Sequence, residues 1–365
     1  FQDSKGRIWL GAKSGVVSVY DSQLRFIGNL TADGRLSASF SSQVGHAYAF
    51  AEQKNGVIWI ATKFSGLLRL QPSGVNTFRL KRFTADGSRY SLPHNDVFSL
   101  CIDRHNRLWG ATFGGGIFYT DLSAKEPRFI HSANLLTSYP IQRFGRTRFV
   151  TSDGLGNIWV CATSGLLRFS DNFRRPEKIH YISYTRQPDN ASSLSYNDVL
   201  EAYFTSSDSM YVCTYGGGFC RVERSSGDSL RFTPFTTANG LRSDVVFSVQ
   251  EDRSGNLWFA SENGFVKYSP QKNSVENFSS RFFGKQIDIN EGMALRLRDG
   301  RLLYPSRNCT AVYFNPEKIK VSRFVPKIIL TKLFVDQTEQ LPSADDNAIL
   351  EEDINSVQCI TLPSG

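Results

Sequence analysis

The sequence lacks long apolar segments, charged runs and a starting methionine. No stretch approaches 18 consecutive apolar residues, which argues against a membrane-spanning helix. The 42 basic and 34 acidic residues give a net charge of +8, but the basic residues never form a run of five or more, so nucleic-acid contact is not expected. Because the chain begins with neither Met nor a signal-like segment, we expect a soluble piece of a longer protein.

The cysteines are few and show no metal-binding pattern. None belongs to a C-x-x-C motif or has a histidine at zinc spacing, so we expect no metal and no cofactor. The six are Cys101, Cys161, Cys213, Cys220, Cys309 and Cys359. Cys213 and Cys220 flank a predicted hairpin, CTYGGGFC, and can pair if directly opposed, but small cysteines in strands are more often buried and reduced. The sequence leaves that choice open.

Methionine is scarce, whereas strand and turn formers are abundant. The chain has 2 Met but 28 Phe, 14 Tyr and 29 Gly among 365 residues. This composition favours an all-β fold over a helical one. A chain of this length exceeds one ordinary core, so we expect either two domains or one closed repeat architecture.

Large aromatic residues mark seven copies of one sequence unit. They are Trp9, Trp59, Trp109, Trp159, Tyr211, Trp258 and Tyr304. The first four are 50 residues apart, and the two tyrosines stand where a further copy is due. Each unit reads D-x-x-G/N-x-I/L-W, then a Gly-containing turn and an alternating apolar run, as in DRHNRLWGATFGGGIFYT. Further apolar runs precede and follow, which gives four strands per unit.

Four short strands repeated in tandem are typical of propeller blades, because one small sheet cannot bury both faces until neighbours pack against it. We therefore predict an all-β, seven-bladed propeller of four-stranded blades. The turn Asp is expected to cap its own turn, and the aromatic residue is expected to pack between adjacent blades rather than to bind a ligand.

Some units depart from the pattern. Glu52 and Gln53 replace the turn Asp in unit two, unit five has SSDS and no Trp, and the seventh turn is shortened to RDGR. Residue 1 falls where the innermost strand of the first unit should be finishing, so we expect upstream residues to complete the ring. From about Pro326 the pattern changes to KIILTKLFVD, an acidic spacer and SVQCITLP. We therefore predict a propeller over 1–321 and the truncated start of a β-sandwich over 322–365.

The repeated unit, with lead-in segments such as SLPHNDVFSL and a closing AVYFNPEKI, resembles the two-component regulator propeller repeat over about residues 1 to 316. The resemblance implies the periplasmic region of a Bacteroides-type hybrid two-component histidine kinase, with an immunoglobulin-like sandwich after the propeller. It implies that this region recognises an oligosaccharide from a complex glycan and switches on genes for using it. It also implies a membrane-anchored parent chain, a homodimer and a kinase domain outside these residues, so no enzyme is expected in this fragment.

Loops on one face of the ring are the default binding surface, since the loops that enter strand one and those that join strands two and three emerge together. Aromatic, cationic and hydrogen-bonding groups mix there, as a sugar requires, and an acidic glycan suits the net charge. The candidate ligand-binding residues are Arg146, Arg148, Arg143, Phe113, Tyr215, Arg307, His94, Tyr196, Lys63 and Glu262. No catalytic set is predicted.

Each candidate has a structural alternative. Asn95, Asn197 and Asp244 are expected to fix the turn into strand one rather than to contact a ligand. The arginines of SYPIQRFGRTRFV can equally pair with neighbouring carboxylates. A glycan-active enzyme would need convergent acids near the axis, where Glu201, Glu262 and Asp244 are the only suspects, and a pure protein-interaction scaffold is the third hypothesis.

Overall fold

Short antiparallel strands dominate the computed structural model of this chain. The structure describes residues 1–38, 44–225, 227–279, 282, 287–307, 310–319, 329–345, 348–357 and 359–362. It contains two compact units, Phe1–Glu317 and Lys318–Gly365. The predicted boundary at 322 lies outside the described residues.

The first unit contains seven sheets, which we number as blades in chain order. Blade one contains β1 (Ile8–Gly11), β2 (Val17–Tyr20), β3 (Phe26–Leu30) and β4 (Leu36–Ser37). Blade two contains β5 (His46–Glu52), β6 (Ile58–Lys63), β7 (Gly66–Pro72) and β8 (Phe78–Phe83). Blade three contains β9 (Val97–Ile102), β10 (Arg107–Thr112), β11 (Gly116–Asp121) and β12 (Ile130–His131). Blade four contains β13 (Thr147–Ser152), β14 (Asn157–Ala162), β15 (Gly165–Ser170) and β16 (Ile182–Tyr184). Blade five contains β17 (Val199–Phe204), β18 (Met210–Thr214), β19 (Phe219–Arg224) and β20 (Leu230–Phe235). Blade six contains β21 (Val246–Glu251), β22 (Leu257–Ser261), β23 (Gly264–Ser269) and β24 (Ser274–Ser279). Blade seven contains β25 (Leu295–Arg296), β26 (Leu302–Ser306) and β27 (Thr310–Phe314).

This is the predicted all-β, seven-bladed propeller. Six sheets have four strands, as predicted, and blade seven has three within the described residues. Over the described ranges, helix is confined to one turn, α1 (Ile141–Phe144), and three short 3-10 turns, Pro176–Lys178, Thr237–Asn239 and Pro316–Lys318. No helix of the described residues is long and apolar enough to cross a membrane.

The repeated aromatic residues pack between blades, as predicted. Trp9 lies in one core cluster with Ile58 and Leu68 of blade two, and it is fully buried. The repeated Asp caps its turn, since Asp3 Oδ1 accepts the backbone N–H groups of Lys5 and Arg7 at 3.1 and 2.8 Å. Its second oxygen also accepts the indole N–H of Trp9 at 2.9 Å. The same bond ties the turn to the core in blades three, four and six, through Trp109, Trp159 and Trp258.

Polar contacts also join neighbouring blades and close the ring. The Ser4 hydroxyl and backbone N–H donate to the Glu52 carboxylate, both at 2.6 Å, and Ser206 makes the same pair of bonds with Glu251. Between blades seven and one, the Arg298 guanidinium donates to the Asp3 carbonyl oxygen at 2.7 Å. An apolar cluster joins the same two blades through Ile8, Leu297 and Leu303.

Cys213 and Cys220 are both free. In the β18–β19 pair Cys213 faces Phe219 and Cys220 faces Val212, so the two cysteines are not opposed and point to opposite faces of the sheet. Cys220 packs toward blade four and Cys213 toward blade six. The reduced alternative is therefore correct for this pair. Cys309 lies outside the described residues.

The second unit contains one hairpin, β28 (Leu333–Val335) and β29 (Thr338–Gln340). Its two-residue turn has positive φ at Asp336 (48°) and Gln337 (65°), the backbone of a type I′ turn. The hairpin is compatible with the start of an immunoglobulin-like sandwich. The described residues of SVQCITLP form no strand, although its apolar pattern suggested one, because a strand requires a paired neighbour.

Candidate functional site

One surface of the ring is formed by two kinds of loop that contact each other. The loop between the second and third strands of a blade hydrogen-bonds to the loop that enters the next blade. Gly66 N–H donates to the Asn95 oxygen, Gly114 N–H to the Gly145 oxygen and Gly216 N–H to the Asp244 oxygen, each at 3.0 Å. We call this surface the loop face; its inter-strand loops are residues 62–66, 112–116, 162–165, 214–218 and 261–264.

Asn95, Asn197 and Asp244 support the entry loops structurally. Their side-chain oxygens accept the backbone N–H groups of Ala85 (2.8 Å), Arg186 (2.8 Å) and Thr237 (2.7 Å), respectively. These contacts match the structural alternative, in which the three side chains fix the turn into strand one.

A β-bulge at the same place in five inner strands turns one side chain toward the axis. The ladder shifts register at Tyr48, Phe98, Arg148, Leu200 and Phe247. These five side chains line one cavity of about 60 Å³ at the centre of the ring. Sugar sites usually need roughly 300 Å³ or more. The bulged residues therefore plug the axis, and the cavity left there is too small for a sugar ring.

Arg148 is the charged member of this plug. Its guanidinium forms a two-point ion pair with the Asp198 carboxylate, at 2.6 and 2.9 Å, and approaches Glu291 at 3.4 Å. Only 18% of the Arg148 side chain is exposed. The carboxylate partners anticipated as an alternative are therefore present, and ligand contact by Arg148 stays a prediction.

Glu201 lies at the wall of the same cavity. Burial raises the pKa of its carboxyl from 4.5 to about 8, and the single bond from the Val249 N–H, at 3.0 Å, only partly offsets this. At neutral pH this group is protonated, unlike a surface carboxylate.

Aromatic rings continue from the plug onto the loop face. Tyr48, Phe98 and Phe113 form a stacked row with ring centroids 4.8 and 5.3 Å apart. The guanidinium groups of Arg146 and Arg148 lie 5.8 and 5.7 Å from the Phe113 ring. The structure thus brings three predicted residues, Phe113, Arg146 and Arg148, into one cluster.

Lys63 approaches this row from blade two. Its ammonium lies 4.9 Å from the Phe64 ring and 6.0 Å from the Phe98 ring. Lys63 and Arg146 therefore lie beside the same stacked row, Lys63 near Phe98 and Arg146 near Phe113.

The remaining predicted residues lie elsewhere on the loop face. Tyr215 is 47% exposed and Tyr196 39%, and both belong to blade five. Arg143, Glu262 and Arg307 are exposed on blades four, six and seven. In blade three, His94 Nδ1 accepts the Asp96 N–H at 3.0 Å. His94 lies against Gly114, the residue after Phe113, but within the described residues no hydrogen bond, ion pair or ring contact joins these side chains to Phe113, Arg146 or Arg148.

Several cations of the loop face have no acidic partner. In the part of the chain that the structure describes, no carboxylate oxygen lies within 4.0 Å of the charged groups of Lys63, Arg143, Arg146, Arg242 and Arg307. Arg148 differs in being paired twice. Unpaired cations beside an aromatic row suit an anionic ligand.

A larger cavity of about 700 Å³ lies between blades seven, one and two, and Arg307 contributes to its lining. The inner edge of β1, at Leu10 and Gly11, also lines it. In blades two to six the inner strand lies against the equivalent edge of the aromatic-bearing strand. Although this groove beside β1 is larger, we place the candidate ligand site at the Phe113 cluster, where unpaired cations adjoin stacked aromatic rings.

Sequence reasoning missed Asp198, Glu291 and Phe98 as parts of this region. Asp198 follows Asn197 in an entry loop that was considered, but its partner Arg148 is 50 residues away. In the sequence, Phe98 looks like an ordinary strand residue. The bulge at Phe98 is visible only in the pairing of β9 with β10.

Comparison with known proteins agrees with this architecture. The family model described as two component regulator propeller matches residues 91–114 and 240–263. A histidine kinase P4 of Formosa agariphila is 23% identical over 312 residues, which is 84% of this chain and 21% of that protein. The chain thus spans about a fifth of the length of this curated relative.

Solved structures share the fold. The extracellular domain of a hybrid two component system from B. thetaiotaomicron matches with a TM-score of 0.67 and 20% identity, over 94% of this chain and 43% of that one. PorZ, a surface component of the type-IX secretion system of Porphyromonas gingivalis, matches with a TM-score of 0.62 and 15% identity, over 86% and 45%. A virginiamycin B lyase of Staphylococcus aureus matches with a TM-score of 0.57 and 13% identity, over 86% and 92%.

Proposed function

We propose that this chain, in which residues 91–114 and 240–263 match the two component regulator propeller model, is the ligand-sensing region of a hybrid two-component sensor histidine kinase. Its ligand is an acidic oligosaccharide released from a complex glycan, and binding leads to induction of glycan-utilisation genes. The region lies in the periplasm, in a membrane-anchored parent chain that acts as a homodimer.

The observation that carries the proposed ligand is the Phe113 cluster of the loop face. A stacked aromatic row, Tyr48–Phe98–Phe113, is flanked by the unpaired cations Lys63 and Arg146. An aromatic face covers the C–H side of a sugar ring, and a cation beside it pairs with a carboxylate or sulfate group.

Isothermal titration calorimetry with a defined oligosaccharide panel tests this proposal. The panel contains trigalacturonate, a mannuronate trimer and a chondroitin 4-sulfate disaccharide, with maltotriose and xylotriose as neutral members. We expect an acidic member to bind and to remain intact. Arg146→Ala and Lys63→Ala should each weaken binding about tenfold, whereas Lys125→Ala, an exposed cation of blade three, should not.

The second candidate function is a glycan-active enzyme. It is considered because a virginiamycin B lyase has the same propeller fold. Cleavage of a panel member, detected by chromatography of each mixture after titration, would establish that alternative. Binding of no member would contradict the proposed ligand class and direct attention to a protein partner.

A further inference from the structure

The loop of blade two holds Phe64 in a backbone conformation that phenylalanine rarely adopts. Its φ is +67°, in the left-handed region. The equivalent loops read TKFSG in blade two, TFGGG in blade three and TYGGG in blade five, so Phe64 stands where Gly114 and Gly216 stand, both at positive φ. A bulky residue at such φ is a clear outlier, whereas glycine adopts it without steric cost.

Packing does not compensate for this conformation. The Phe64 side chain is 65% exposed. Leu24 also has positive φ, at 63°, but it packs against the cluster of Leu297 and Leu303. Asn106, Asp208 and Asn273, which share positive φ, are of types that tolerate it.

Neighbouring groups instead hold the Phe64 ring in a fixed place on the surface. The Asp96 carboxylate accepts the Phe64 N–H at 2.7 Å, which fixes the turn. His46 meets the ring edge-on at a centroid distance of 6.0 Å, and the Lys63 ammonium lies 4.9 Å from its centre. A strained and exposed ring that its surroundings hold in place is a feature of binding sites.

We propose that Phe64 and Lys63 form a subsite for one anionic sugar ring, in which Phe64 stacks on the C–H face and Lys63 pairs with a carboxylate or sulfate. The inference rests on the proposed function and gives a role to Phe64, which is not among the ten candidate ligand-binding residues. It also explains why blade two has phenylalanine where the loops of blades three and five have glycine, since glycine offers no stacking surface.

Phe64→Gly separates this role from a purely structural one. Because glycine adopts positive φ freely, the variant should have a melting temperature equal to or above that of the wild type, yet bind the acidic panel member at least about tenfold more weakly. Phe64→Tyr should retain binding, because it keeps the ring. Phe64→Ala should weaken binding without raising the melting temperature, because it keeps the strained backbone.

The outcomes are distinct. If the wild type binds and Phe64→Gly binds equally well, the subsite is wrong and the proposed function stands. If the wild type binds no panel member, both fail. Comparison of the chondroitin 4-sulfate disaccharide with its unsulfated counterpart distinguishes a sulfate from a carboxylate as the group that Lys63 recognises, because both carry the uronate carboxylate.

Discussion

Blades two and three have the same strand order but differ where the turn meets the core. In blade three, Asp103 Oδ2 accepts the indole N–H of Trp109 at 2.8 Å. Blade two has Gln53 at the equivalent position, and the buried Nε1 of Trp59 has no hydrogen-bond partner. An unsatisfied buried donor is destabilising, so blade two is the weaker of these two repeats at this point.

The same contrast continues along the inner strand and onto the loop face. Ser99 of blade three accepts the Val150 N–H of the next blade at 3.2 Å, whereas the equivalent residue of blade two, Ala49, has no acceptor. On the loop face, blade two has Phe64 at the position that is equivalent to Gly114 of blade three. Departures from the repeat thus accumulate in the blade that carries Lys63 and Phe64, the two residues of the proposed subsite.

Breaking the intact pattern of blade three should have the largest effect. Asp103 is 4% exposed and also pairs with Arg107 at 2.7 Å. Asp103→Ala leaves the buried indole N–H of Trp109 without an acceptor and removes the carboxylate that pairs with Arg107, so we expect a loss of about 3 kcal/mol in the free energy of unfolding, measured by urea denaturation. Asp21→Ala is the matched control, because Asp21 caps a similar turn and pairs with Arg25 at the surface without a Trp. Equal losses in the two variants would contradict the role given to the buried bonds.

Glu201 of blade five extends the comparison, because it takes the place that Ser99 holds in blade three. Its pKa is raised by burial to about 8. The stability that comes from this raised pKa is fully present below the ordinary value of 4.5 and is lost as the pH rises through about 8. Over that window the loss is about 1.4 kcal/mol per pH unit.

Glu201→Gln should remove this pH dependence while keeping an acceptor for the Val249 N–H. Urea denaturation at a series of pH values measures it, with the exposed Glu126→Gln as the control. A wild type whose stability does not fall toward pH 8, beyond what Glu201→Gln shows, would mean that the carboxyl is ionised in the folded protein.

Giving the Trp59 indole of blade two an acceptor should have the smallest effect, and it should raise rather than lower the free energy of unfolding. Gln53→Asp supplies an acceptor for Trp59 Nε1, and we expect a gain of about 1 kcal/mol in the free energy of unfolding. Gln53→Ala controls for the loss of the glutamine. If both variants have the same stability, the unpaired indole is not what distinguishes the two blades.

Much of the fold follows from the sequence, because each blade is a local structure. The spacing of the aromatic residues and the turn Asp gives seven units, and period-two alternation gives their strands. The bond from each turn Asp to the Trp six positions later was not predicted, although the absence of Asp at position 53 was noticed. Knowing that bond would have identified the unpaired Trp59 from the sequence alone.

The site was less predictable, because its groups come from distant parts of the chain. Arg148 and Glu291 are 143 residues apart and meet only when blades four and seven face each other across the axis. The bulges that aim Tyr48 and Phe98 inward depend on strand pairing. Strain at Phe64 depends on a backbone angle, but the glycines of the sister loops were a usable signal.

Hydrogen–deuterium exchange with and without the tightest acidic panel member tests the central claim most directly. The account predicts slower exchange in the loops 62–66, 112–116 and 142–148 of the loop face, and unchanged exchange in the turns 103–107 and 153–157 on the opposite side of the ring. Protection confined to those turns, or to the groove beside β1, would contradict the placement of the ligand site.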